Sequence, residues 1–122
     1  MRILIVEDDS MTRKAIEHRI KMDGFDVISA VDGKDALDVL KRESVDFMIT
    51  DLHMPHISGL ELIKYVRNEL KKNIPIIMLT RVGLEETVLL AFELGADDYI
   101  TKPFSPTELS LRIKKALLRN NF

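Results

Sequence analysis

The segment Asp46–Gly59, "DFMITDLHMPHISG", joins an apolar run to a carboxylate and a turn. Asp46–Thr50 "DFMIT" reads as a strand carried into the interior by Phe47, Met48 and Ile49, and Asp51 follows its last residue, just ahead of a stretch punctuated by Pro55 and Gly59. A buried strand that ends on a charge points to chemistry at that end.

Four more short β-rich runs flank this one: Arg2–Val6 "RILIV", Phe25–Ala30 "FDVISA", Ile74–Leu79 "IPIIML" and Asp98–Thr101 "DYIT". Amphipathic segments of helical period follow each strand, near Ser10–Met22, Lys34–Lys41, Gly59–Leu70, Leu84–Leu94 and Pro106–Arg119. Strand and helix alternating five times predict an α/β, doubly wound (βα)5 flavodoxin-like domain, with a five-stranded parallel sheet covered by helices on both faces. Asp9 or Ser10 suits the first helix N-cap, and Gly24 and Gly95 fall where helices should stop. The first, third and fourth strands are almost wholly apolar, as central parallel strands are, whereas "DVISA" and "DYIT" are mixed and suit edges. The expected order is therefore 2-1-3-4-5, which puts the ligand crevice at the carboxyl ends of strands one and three.

The totals agree with one domain over residues 1–122. Of 122 residues, 46% are hydrophobic, enough for an ordinary core, and 18 basic against 20 acidic residues give a net charge of −2, so no general attraction to nucleic acid or anionic membrane is expected. Without cysteine there is neither a disulfide framework nor a thiolate metal site. No apolar stretch approaches the roughly 20 residues of a membrane span. A soluble, cytoplasmic protein is the expectation.

Reading the strand ends in turn gives Glu7, Asp8 and Asp9, then Asp51, Thr80 and Lys102. Singly, each has a structural reading: Asp9 as a helix cap, Asp51 as a turn opener, Thr80 as a cap, Lys102 as a solvated turn residue before Pro103. Together they place acids, a hydroxyl and an ammonium around one crevice. Two carboxylates about 4 Å apart repel by roughly 4 kcal/mol at an effective dielectric near 20, so Glu7, Asp8 and Asp51 call for a neutralising cation. An all-oxygen donor set suits Mg²⁺, which keeps several waters and leaves room for a phosphoryl oxygen. His53 and His56 flank Met54-Pro55, which breaks helical spacing and argues against a zinc pair, and His18 reads as a surface residue.

The successive motifs "ILIVEDD", "DFMITDLHMPHISG", "IIMLT" and "GADDYITKPFSP" resemble the receiver domain of two-component response regulators, the CheY-like family, from Arg2 to about Arg119, and among these the OmpR/PhoB type. The resemblance implies that Asp51 is the phosphoacceptor, taking the phosphoryl group of a sensor histidine kinase. It implies that Asp8, Asp51 and the backbone carbonyl of His53 hold Mg²⁺, with Glu7 acting through water. Lys102 would pair with the phosphoryl group, Thr80 would donate its hydroxyl to it, and Tyr99 would turn inward on activation. The Lys102-Pro103 peptide is expected to be cis. Such a domain is a signalling switch acting on itself rather than a turnover enzyme.

Two positions depart from the family pattern. Arg81 follows Thr80 where a small residue is usual, so it either crowds the site or reaches the phosphoryl group. Val88 replaces a basic residue of the salt-bridge set that OmpR/PhoB-type regulators use to dimerise, although Asp97, Asp98, Glu108, Arg112 and Arg119 match that set. In the helix near Leu84–Leu94, Leu84, Thr87, Leu90, Ala91 and Leu94 are expected to face inward. That leaves Val88, Leu89 and Phe92 outward beside Tyr99 and Leu111, as a face for a partner or a second copy.

Other readings are open to the same fold. A haloacid-dehalogenase-like phosphohydrolase needs a second aspartate two residues after the nucleophile, where His53 stands. A flavodoxin-like cofactor binder needs a Gly/Ser/Thr phosphate loop after strand one, where three acids stand instead. A receiver-like module that is never phosphorylated differs only in its response to acyl phosphate. DNA binding is not expected, because Arg112, Lys114, Lys115 and Arg119 read as the solvated face of the last helix.

Overall fold

In the computed structural model, which describes residues 1–81 and 83–119, the runs of β-branched residues pair as a parallel sheet. The strands are β1 (Arg2–Val6), β2 (Asp26–Ala30), β3 (Phe47–Asp51), β4 (Ile76–Arg81) and β5 (Asp98–Lys102), in the order β2-β1-β3-β4-β5. The helices are α1 (Ser10–Met22), α2 (Gly33–Arg42), α3 (Gly59–Lys64), α4 (Glu85–Leu94) and α5 (Pro106–Arg119). The expected class and order are those found. Residues 120–122, included in the expected 1–122 domain, lie outside the described residues.

Side chains alternate across a strand, so a sheet covered on both faces must be apolar at odd and even positions alike. Leu4, Val6, Met48, Ile76 and Met78 pack on one face with Ala36, Val39 and Leu40 of α2, Leu62 and Ile63 of α3, and Ala91 of α4. Ile3, Ile5, Phe47, Ile49, Ile77 and Leu79 pack on the other with Ile16 and Ile20 of α1 and Leu109, Ile113 and Ala116 of α5.

Helix ends follow from local chemistry. The Asp9 carboxylate accepts from the Thr12 backbone N–H at 2.9 Å, so Asp9 is the α1 cap. Gly24 (φ +92°) and Gly95 (φ +120°) end α1 and α4 in the left-handed region that favours glycine. Gly59 is required for a different reason. A Cβ there would collide with the Asp51 backbone carbonyl, so the start of α3 lies directly against the end of β3.

Three local expectations are corrected. The helix expected over Gly59–Leu70 is α-helical only to Lys64 and continues as a π-helical turn, Tyr65–Glu69, closed by the Leu70 N–H on the Tyr65 carbonyl at 3.0 Å. In α4 the buried residue is Ala91, and the inward stripe is centred on it. Leu90, expected inside, sits about 100° around the helix from Ala91 and is exposed, while Val88, expected outside, is about 60° away, half-buried and packed on the core with Leu84 and Leu94. Finally, Asp51, Thr80 and Lys102 lie within the last residues of their strands rather than beyond them.

Candidate functional site

Parallel pairing fixes the site. β1 and β3 pair Val6 with Thr50, and β4 and β5 pair Thr80 with Thr101 and Arg81 with Lys102, so four strand ends stop at one level. Glu7, Asp8, Asp51, Thr80 and Lys102 meet there.

Asp51 is 8% exposed. One carboxylate oxygen accepts from the Leu52 backbone N–H at 2.8 Å, which fixes the plane of the group, and the other stands 3.2 Å from Lys102 Nζ. Glu7 is fully buried: its Oε1 receives Lys102 Nζ at 2.6 Å, and its Oε2 accepts from the Asp9 N–H at 3.3 Å. Burial pushes the Glu7 carboxyl above its ordinary range, and the nearby Asp51 charge adds to the effect against the opposing pull of Lys102. For Lys102, burial works downward, but the bond to Glu7 and the charges of Asp51 and Glu7 outweigh it, so its pKa is raised. It stays cationic through neutral pH.

Carboxylate oxygens of Glu7, Asp8 and Asp51 lie within 4.8 Å of one another. Three hard anionic donors at that spacing, with Lys102 their one ion-pair partner among the described residues, fit a divalent cation that prefers oxygen. Neither His53 nor His56 belongs to the cluster, and both are exposed, as is His18.

A pocket of about 340 Å³ opens above Asp51, lined by Asp51, His53, Thr80, Arg81 and Lys102. Thr80 is 2% exposed, and its hydroxyl donates only a long 3.4 Å bond to the Arg81 carbonyl, so it can re-aim at little cost. Lys102-Pro103 is cis. Tyr99 points outward, with its ring edge-to-face on Phe92 at 6.0 Å and 82°. Between that pair and Thr80 lies a second cavity of about 360 Å³, reaching Val88, Leu89 and Thr101.

Some supports escaped the sequence reading. Arg13 donates to the Glu7 carbonyl at 2.8 Å and so holds the β1 end from α1. The only hint was its place one turn after Asp9. Members of the salt-bridge set are paired within the chain: Arg112 pairs with Asp98 at 3.3 Å, Asp97 pairs with Arg67 at 3.1 Å, and Arg119 donates to the Asp97 carbonyl at 3.0 Å.

Comparison with known proteins agrees with this geometry. The sequence profile described as "Response regulator receiver domain" matches residues 3–114. The chain belongs to the response regulator receiver family. It is 43% identical over 118 residues to "Probable transcriptional regulator ycf27" of Porphyridium aerugineum, covering 97% of this chain and 48% of that protein. With "Alkaline phosphatase synthesis transcriptional regulatory protein PhoP" of Bacillus subtilis (strain 168) it shares 40% over 119 residues, or 98% and 49% of the two chains. These OmpR/PhoB-type relatives are matched over about half their length. Among solved structures, the receiver domain of the Francisella response regulator 1452 superposes with a TM-score of 0.89 at 32% identity, covering 98% of both chains. Vibrio cholerae CheY4 gives 0.88 at 31%, covering 94% of this receiver and 97% of that chain. Receiver domains of two-component systems have histidine kinases as their class of partner. No described helix is long and apolar enough to cross a membrane.

Proposed function

We propose that this receiver accepts a phosphoryl group on Asp51 from the phosphohistidine of a sensor kinase and uses it to switch the surface formed by α4, β5 and α5. The observation that carries the reading is the placement of a nearly buried carboxylate at the end of a central strand, 3.2 Å from Lys102 and facing a pocket that Thr80 also lines.

The chemistry is a displacement at phosphorus. An Asp51 carboxylate oxygen forms the new P–O bond as the P–N bond to the donor imidazole breaks, and the imidazole departs with the electron pair. Lys102 offsets charge at Asp51, and the Leu52 N–H holds the carboxylate in one orientation for attack. Glu7, Asp8 and Asp51, with the His53 carbonyl as the family resemblance implies, would hold Mg²⁺, which when bound neutralises phosphoryl oxygens. The domain thereby modifies itself in the cytoplasm and is not a turnover enzyme.

The new phosphoryl oxygens offer Thr80 a stronger acceptor than the 3.4 Å carbonyl it now uses. Its movement frees space beside the 360 Å³ cavity for Tyr99 to turn inward. The α4 helix is suited to respond, because Ala91 is its one buried residue and its N-terminus lacks a side-chain cap. Leu89, Phe92, Tyr99 and Leu111 are exposed on the resulting face, which we assign to a partner or a second copy. Mass spectrometry after incubation with acetyl phosphate tests the core of this reading. Label is expected on Asp51 in Mg²⁺, and neither in chelator nor in Asp51→Asn; equal labelling of Asp51→Asn refutes it.

A further inference from the structure

Of the eight arginines, seven have guanidinium partners, six of them carboxylates and one a backbone carbonyl: Arg2 with Glu43, Arg13 with Glu17, Arg19 with Asp23, Arg42 with Glu43, Arg67 with Asp97, Arg112 with Asp98, and Arg119 with the Asp97 carbonyl. Arg81 has none among the described residues. Yet it is the last residue of β4, directly after Thr80, and it lines the Asp51 pocket. A guanidinium left unpaired at the mouth of an acidic site is a cation held in reserve.

Strand alternation gives its approach. Thr80 follows Ile76 and Met78 toward the α4 side, so Arg81 follows Ile77 and Leu79 toward the α1 and α5 side. It accordingly also lines the groove containing Met11, Phe104 and Lys102. Within the Asp51 pocket, Asp51 and Thr80 form a buried floor, Lys102 is half-buried, and His53 and Arg81 are the exposed rim.

We infer that Arg81 is a second cationic ligand for the Asp51 phosphoryl group, closing the rim from the α1 side and prolonging the life of the acyl phosphate. This rests on the reading of Asp51 as phosphoacceptor. Charge supplies the first reason. A phosphorylated Asp51 carries close to two negative charges, and with Glu7 and Asp8 the site holds about four. Lys102 and a divalent cation offset about three of them. The remaining charge matches one guanidinium, whose planar fork suits two phosphoryl oxygens.

The direction of the effect follows from where charge moves. In hydrolysis, water attacks phosphorus opposite the Asp51 oxygen, through the rim, and the loose transition state shifts charge from the outer phosphoryl oxygens onto the departing carboxylate. Lys102, placed at Asp51, stabilises that departure. A cation on the outer oxygens stabilises the ground state at least as well, and so does not speed the step. It also occupies the path of the water.

The test uses the parent chain, Arg81→Ala and Arg81→Lys, labelled with acetyl phosphate in Mg²⁺ and then freed of donor. Arg81 is exposed at a strand end, so thermal melts of all three should coincide. Arg81→Ala is expected to lose its label at least threefold faster and to bind fluoroberyllate with Mg²⁺ at least threefold more weakly by calorimetry, while Arg81→Lys recovers part of both. A half-life for Arg81→Ala within twofold of the parent, or longer, overturns the inference while leaving Asp51 as phosphoacceptor. A parent that takes no label on Asp51 overturns both.

Discussion

Removing the Arg67 guanidinium should destabilise this domain more than any other change of a partly exposed charged residue. Arg67 lies in the π-helical turn and is 16% exposed at its side chain. It donates to the Gly95 carbonyl through Nε at 3.1 Å and Nη2 at 2.7 Å, and through Nη1 to the carbonyls of Lys72 at 2.9 Å and Ile74 at 2.8 Å. Nη2 also reaches Asp97 Oδ2 at 3.1 Å, and that same oxygen accepts from the Ile76 N–H at 2.8 Å. One side chain therefore ties the end of α3, the entry to β4 and the end of α4. Substitution by Leu keeps the apolar stem and leaves three carbonyl acceptors unpaired. At about 1 kcal/mol each, after allowing for water that can enter a partly open site, the loss is about 3 kcal/mol. The Asp97 pair adds little, since Asp97 keeps Ile76 and is itself partly exposed. With an unfolding entropy of about 2.1 cal/mol/K per residue, 3 kcal/mol lowers Tm by roughly 12 °C. Urea denaturation of Arg67→Leu and Arg67→Lys measures it, with an unchanged slope. Arg67→Lys should recover little, because one ammonium cannot span carbonyls on three segments. A loss below about 1 kcal/mol in Arg67→Leu would refute the hub.

Two further outcomes are expected. Burial holds the Glu7 carboxyl above the ordinary 4.5, so the folded state binds this proton more readily than the unfolded one, and stability falls as pH climbs from 4.5 through the raised value; in chelator, the urea stability of Glu7→Gln relative to the parent should therefore rise over that window and then level off, and a flat or falling difference by urea titration contradicts it. Phe92→Asp should abolish phosphorylation-dependent self-association or partner binding, measured by sedimentation, and the parent's association should change little between low and high salt because the exposed face is apolar; a monomer in both proteins with identical kinase and partner binding removes the interface.

The sheet was readable because its signal is local. Runs such as "RILIV" and "IPIIML" are apolar at both parities, which only a strand covered on both faces requires, and the acids and Lys102 stood where those runs stopped. The failures share a cause, which is that sequence carries pattern but little phase. Five apolar residues in succession from Val88 to Phe92 are compatible with several rotations of α4, and only the seating of small Ala91 against the sheet chose one. The π turn leaves the apolar spacing of Leu62, Ile63 and Val66 intact, so nothing in that pattern disclosed it. Nothing in the sequence singled out Arg67 or Arg13, because the carbonyls they serve belong to backbone that no side-chain pattern encodes.

The internal use of Asp97 and Asp98 bears on how the outer face can work. An interface built on those two carboxylates would have to draw Asp98 from Arg112 and Asp97 from a hub that also holds Ile76, exchanging pairs already made for pairs of similar strength. Such an exchange contributes little net free energy, because Asp97 is partly exposed and drawing the buried Asp98 away leaves Arg112 without its partner. With Val88 apolar and half-buried, α4 supplies no cation there to tip the balance. What does change on association is water contact at Leu89, which is 62% exposed, and at Leu111, which is 61% exposed. Burying such side chains is worth about 25 cal/mol per Å², and Phe92 and Tyr99 lie on the same face as an edge-to-face pair. An inward turn of Tyr99 breaks that ring pair and reshapes the face. The phosphoryl signal would thus reach a partner as a change in apolar shape, with the carboxylates setting register rather than affinity.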